Sequence, residues 1–225
     1  DIVSATTAPA EVSVIPGVVI ANGEGVASVS VRPGFEDVGP VLRLYAPGGE
    51  EVDATIEAIR EDGVSTAAAA TVSVPAGKVA EFPLTAYPDG SYSLVITGIA
   101  PLVGAVRLQA LGSAGQLDLA WLPAANPLEK TAIIPVAAGP GPVLHLANPG
   151  GSDVEATLTG PAGAVPVTLP AGTAIAIPLS SAADYRLEDG AGLLGSVVYS
   201  GDGMIAGFPV APPASTSRPI RVYPG

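Results

Sequence analysis

The chain has 225 residues, nine basic against 21 acidic, a net charge of −12, one histidine and no cysteine. With only Lys78, Lys130 and seven scattered arginines there is no basic stripe to neutralise phosphates, which argues against nucleic acid and anionic lipid surfaces as partners. The missing thiols exclude disulfides and thiolate metal sites, and 24 prolines disfavour long helices.

In chain order, residues 1–24 are left unplaced, with the expectation that they complete an edge strand. Short alternating apolar runs then predict strands near 26–32, 41–46, 52–58, 71–75, 79–84, 91–97, 103–110 and 116–122. Turn chemistry separates them: Gly48-Gly49, Pro75-Ala76-Gly77 and Asp89-Gly90 supply positive φ or a preset φ where hairpins need it. The stretch Leu122 to Lys130, LPAANPLEK, reads as a boundary. It divides the chain into residues 1–124, with 14 acids and 5 bases (net −9), and 125–225, with 7 acids and 4 bases (net −3).

The second part repeats the first. VLRLYAPGGEEVDATI at 41–56 matches VLHLANPGGSDVEATL at 143–158 with nine identities in sixteen positions, an offset of 102. TVSVPAGKVAEFPL at 71–84 matches PVTLPAGTAIAIPL at 166–179 with an offset of 95, so the first copy carries seven extra residues, placed in the EAIREDGVSTAAAA region. Tyr92 aligns with Tyr185, and LVGAV at 102–106 with LLGSV at 193–197. Many short strands with no helical pattern between them predict an all-β fold of two tandem immunoglobulin-like or fibronectin-like antiparallel β-sandwiches, 1–124 and 125–225. Tyr92 and Tyr185 are the expected structural tyrosine corners, phenols that tie a strand start to the preceding loop. The uncharged run from Ala156 to Ala183 is cut by Pro161, Pro166, Pro170 and Pro178, so no membrane-spanning segment is predicted. A last strand is expected at PIRVYP, from Pro219. The chain opens at Asp1 without Met or a visible signal peptide and reads as a mature or excised form.

Candidate chemistry is sparse. A Ser-His-Asp hydrolase would need His145, but Leu144 and Leu146 beside it claim the core face, so the imidazole is expected to point outward into solvent, as Arg43 would at the matching place. The hexapeptide Gly190 to Gly195, GAGLLG, fits the dinucleotide fingerprint by letter. Turn-like and β-branched residues surround it where a strand and a helix are required, so no nucleotide is expected. Glu50, Glu51 and Asp53, Glu61 with Asp62, and Glu188 with Asp189 read as solvated acids at turns, with no spaced calcium loop and no glycosidase pair. No catalytic, cofactor-binding or metal-ligating residue is therefore assigned. Sugar binding would need exposed aromatics, for which Trp121 and Tyr199 are the weak candidates. Trp121 is first expected to pack at the junction of the two modules.

LANPGGSDVEATL, LPAGTAIAIPL and LLGSVV, given twice with variation, resemble a domain-of-unknown-function family of large exported actinobacterial proteins. That resemblance spans about Val29 to Val210 and implies an extracellular or cell-envelope location, with a signal or membrane anchor outside this chain. It brings no catalytic residues. The expected function is a non-enzymatic scaffold or adhesion-like protein whose partner is an envelope protein or polymer; the alternative is a carbohydrate-binding module for an envelope glycan.

Overall fold

Val52–Arg60 alternates buried and exposed residues along most of its length, the signature of a strand with one face on a core. The same logic runs through the computed structural model, which describes residues 10–20, 39–62 and 66–211. The described residues form fifteen strands: β1 (Ala10–Ile20), β2 (Val41–Tyr45), β3 (Val52–Arg60), β4 (Thr66–Val74), β5 (Val79–Pro83), β6 (Gly90–Leu111), β7 (Leu117–Pro123), β8 (Thr131–Val136), β9 (Pro142–Asn148), β10 (Val154–Gly160), β11 (Gly163–Leu169), β12 (Thr173–Pro178), β13 (Ala183–Glu188), β14 (Leu194–Gly201) and β15 (Met204–Pro209). The fold is all-β and its strands pair antiparallel. Among the described residues no helix is long and apolar enough to cross a membrane.

In the N-terminal half, β6 belongs to two sheets. Its first part pairs with β1 and β3, giving the order β4-β3-β6-β1, and its second part pairs with β2 and β7, giving β5-β2-β6-β7. The switch falls at Gly98 to Pro101, where Ile99 projects into solvent, 81% exposed. The strands expected at 91–97 and 103–110 are thus one 22-residue strand bent between layers. The C-terminal half has two four-stranded sheets, β11-β10-β13-β8 and β12-β9-β14-β15. Their strand orders match those of the first half when β1 is set against β8 and β7 against β15.

Each half has its own core. Ile56, Leu94 and Ile96 meet Leu42, Leu44 and Leu108 in the first, and Ile134, Leu158 and Leu187 meet Leu144, Leu146 and Val197 in the second. Each such burial contributes roughly 1.5–3 kcal/mol. A third cluster, Val14 and Ile59 with Ala125, Ala147, Ala174 and Leu194, bridges the halves. There β1 lies on β9 and β14, and the Ala125 N–H donates to the Val14 carbonyl at 2.8 Å. The halves meet again at β7 and β15, where the Asp118 carboxylate accepts the Ile205 N–H at 3.0 Å.

The expected strand near 26–32 and the last one from Pro219 lie outside the described residues. Within the stretch left unplaced by sequence, Ala10–Ile20 forms β1, and that strand decides the site.

Candidate functional site

His145 faces away from Leu144 and Leu146, as alternation requires, but it does not reach solvent. It is 2% exposed. The outer face of its sheet is covered by β1 and by the end of β3, so the expectation of a solvent-facing imidazole is overturned by packing from the other half.

Two local features shape that cover. β1 carries a bulge between Ile15 and Val18, in which Gly17 adopts φ +83 and brings its backbone against the His145 ring and Ser196. A Cβ there would lie 2.7–2.9 Å from Ser196 Oγ and the imidazole carbons, so only glycine fits. Beyond β3, the Glu61 N–H donates to the Ser91 carbonyl at 2.9 Å, and Asp62 bridges to Ile175 of β12. This extension carries the Glu61 side chain into the seam, where it is fully buried. Glu61, read from sequence as a solvated turn acid, is corrected on this point.

Glu61 Oε1 accepts the Gly17 N–H at 3.0 Å and the Ser93 hydroxyl at 2.8 Å. Its Oε2 lies 2.5 Å from His145 Nδ1. A carboxylate taking three donors assigns the proton to Nδ1 of the ring. His145 Nε2 has no hydrogen-bond partner among the described residues. Beside it, the Ser196 hydroxyl donates to the Pro16 carbonyl at 2.7 Å.

Carboxylate on Nδ1 and a free Nε2 is how hydrolases orient a histidine base. Here both neighbouring hydroxyls are already committed, Ser93 to Glu61 and Ser196 to Pro16, and the ring is closed off from solvent. What the arrangement does chemically is hold three segments of one half to a strand of the other through a buried, directional contact. Of these participants the sequence singled out His145 and, as a turn acid, Glu61; Gly17, Ser93 and Ser196 carried no mark. The seven-residue surplus around Glu61 was the available signal that something had been added there.

The other candidates separate from this seam. Tyr199 is 8% exposed, and its hydroxyl accepts the Ala137 N–H at 2.8 Å. It is a core residue, which removes it as a surface ligand platform. Trp121 is half-buried on the outer face of its sheet beneath the Arg43 guanidinium, 5.0 Å from the ring centroid. Its neighbour Leu122, pointing the other way, packs at Gly207 of the other half. Tyr92 is buried and its hydroxyl donates to the Pro88 carbonyl at 3.0 Å, while the Tyr185 hydroxyl accepts the Ser180 N–H at 2.7 Å. Burial, with Tyr92 close by, pushes the Tyr87 phenol up.

Residues 1–183 match the family of unknown function DUF5719. The chain belongs to that family. None of the curated proteins matches it. A crystal structure of Thermotoga maritima 1070 is similar at 18% identity and a TM-score of 0.41, over 52% of this chain and 95% of the other, too low a likeness to bear on function.

In this DUF5719 chain the glycine-rich run at 190–195 makes the turn after β13 and enters β14 at Leu194. Its amides serve the linker: Gly190 N–H donates to Lys130 O at 3.3 Å and Gly192 N–H to Leu128 O at 3.0 Å. The acids Glu50, Glu51 and Asp53 are exposed, and Glu188 and Asp189 pair with Arg186 and Lys130. Asp202 joins the halves from the β14–β15 turn, accepting the Ser113 hydroxyl and N–H at 2.6 Å each. The hydroxyl bond first, then the amide bond, holds its carboxyl below the usual range.

Proposed function

We propose that this protein is a non-enzymatic scaffold or adhesion-like binding protein of the cell envelope, built of two tandem immunoglobulin-like β-sandwiches docked as one unit. The observation that carries the reading is the sealed seam. The histidine best placed for catalysis is spent on joining the modules, with Glu61 at 2.5 Å and both adjacent serines engaged. A fixed relation between modules suits a protein whose work is to present surfaces at a set distance and angle. The matching strand orders and paired registers support the tandem reading, since His145 pairs with Ser196 and Ala176 as Arg43 pairs with Ala105 and Glu81. The envelope location rests on the family resemblance alone.

Co-sedimentation of the purified chain with isolated envelope polymers and with envelope membrane-protein fractions tests this reading. Saturable binding by the folded wild-type chain is expected. Failure to bind either, or turnover of a substrate abolished by His145→Ala in a folded protein, overturns it.

A second reading, a glycan-binding module, is favoured by one observation: Trp121 sits on an open sheet face with Arg43 and Glu81, groups that stack on and hydrogen-bond sugars. It requires that Trp121→Ala weaken polymer binding.

A further inference from the structure

The bend that carries β6 from one sheet to the other leaves a groove. The β2–β3 turn, from Pro47 through Val52, forms one wall and Ile99 to Pro101 the other, around a volume of about 570 Å³. Gly98 sets the bend close to the turn: a Cβ there would lie 2.9 Å from the Ala100 carbonyl oxygen and 3.2 Å from Val52. Gly48 and Gly49 have nothing within 4 Å of the places their Cβ atoms would take, so that stretch of wall is bare backbone on open space. Ile99 lines the groove while 81% exposed, an apolar surface that neither core takes up.

The second half closes the corresponding place. Ile99–Pro101 align with Gly190–Gly192, and there the linker covers the turn, the Gly192 N–H donating to Leu128 O at 3.0 Å and the Leu128 N–H to Leu193 O at 2.7 Å. Glu51 aligns with Asp153, whose carboxylate accepts the Ala171 N–H at 2.9 Å. Glu50 and Glu51 are exposed, and neither has such a bond or an ion pair among the described residues. What the second half spends on its own fold is left over in the first.

We infer that this groove docks a basic segment of a partner protein, with an apolar side chain against Ile99 and lysine or arginine side chains on Glu50 and Glu51. Charge complementarity selects that occupant. No basic side chain lines the groove among the described residues, and Asp53, one residue past its turn wall, is a further exposed acid. The half that carries it holds 14 acids against 5 bases, a field that draws cations in and turns acidic partners away. A second copy of this chain, at net −12, is disfavoured on the same ground. The inference rests on the scaffold reading above and names the chemistry of its partner.

Fluorescence anisotropy of a labelled peptide of alternating lysine and leucine, titrated with the full chain, tests it. Saturable binding that weakens with added salt is expected. The same peptide with glutamate for lysine, or with serine for leucine, is expected to bind roughly tenfold more weakly or worse. Ile99→Ser, and Glu50→Gln together with Glu51→Gln, all at exposed positions, are each expected to lose roughly tenfold in affinity. Glu155→Gln with Asp184→Asn removes two exposed acids from the other half and should change the affinity less than about twofold. No binding of the lysine-leucine peptide, groove variants that bind like wild type, or an equal loss in the Glu155 and Asp184 pair, which would mean diffuse attraction to the net charge, overturns the inference. Envelope co-sedimentation undiminished by Ile99→Ser would sink the groove while leaving the scaffold reading in place.

Discussion

Glu61 and His145, 84 residues apart in sequence, lie with Oε2 and Nδ1 at 2.5 Å in a seam from which both side chains are sealed. Everything else about the seam is arranged around that contact: the bulge at Gly17, the extension of β3 past its partner and the two serines beside the ring.

Glu61→Ala should destabilise the protein by about 3–5 kcal/mol, because it strands the Gly17 N–H, the Ser93 hydroxyl and the imidazole N–H in a buried site. Replacing both partners, Glu61→Leu with His145→Leu, should cost less, since it removes the buried charge along with its partner. Urea titrations of the three proteins measure the order. A single-variant loss below about 1 kcal/mol would mean that the carboxylate is solvated.

Gly17→Ala should be worse than a glycine change at a free turn. Gly77, at φ +64, has nothing within 4 Å of the place a Cβ would take, whereas Gly17, at φ +83, has Ser196 and His145 within 2.9 Å of it. Gly77→Ala is expected to lose about 1–2 kcal/mol from left-handed backbone alone. Gly17→Ala loses that and displaces the seam. Thermal unfolding of both variants gives the comparison, and equal losses would contradict the close packing of β1 on β9 and β14.

Much of this architecture is legible in the residues themselves. The repeat offset of 102 aligns His145 with Arg43, as the paired registers have it, and alternation sets His145 opposite Leu144 and Leu146. What alternation cannot see is whether the outward side of a strand meets water or another sheet. That depends on β1, where the Pro16-Gly17 bulge interrupts the period of two, and on Glu61, one of two adjacent acids in a run resembling a turn. Trp121 shows the same alternation: Leu122 takes the inward position, and the indole lies on the outer face under Arg43. The division of β6 into strands at 91–97 and 103–110 fails because Gly98 to Pro101 is only the bend between sheets.

Asp202 gives a pH signature at the second contact between the halves. Its bonds to Ser113 lower its carboxyl below the unfolded value, so its stabilisation is present above the usual carboxylate range, near about 4, and is lost as pH falls through the lower folded value. The stability difference between wild type and Asp202→Ala should therefore be level from neutral pH down to about 5 and shrink at more acid pH. A difference that grows on acidification would give the shift the opposite sign.

Tyr92→Phe removes a hydroxyl that donates to the Pro88 carbonyl at 3.0 Å, at an expected cost of about 1 kcal/mol. Tyr185→Phe should cost less, because the Ser180 N–H it leaves lies in an exposed bond that water can replace. Denaturant midpoints for the two variants decide the order, and a larger loss at Tyr185 would refute it.

Whether the single histidine is a sealed joint between the two halves can be read from its ring protons. Because the chain has one histidine, a sample with nitrogen-15 label in histidine gives one imidazole with no assignment ambiguity. A proton on Nδ1 that is shifted strongly downfield, exchanges slowly with water and vanishes in Glu61→Ala is expected, whereas a ring exchanging freely with solvent, or protonated on Nε2 alone, would contradict the joint.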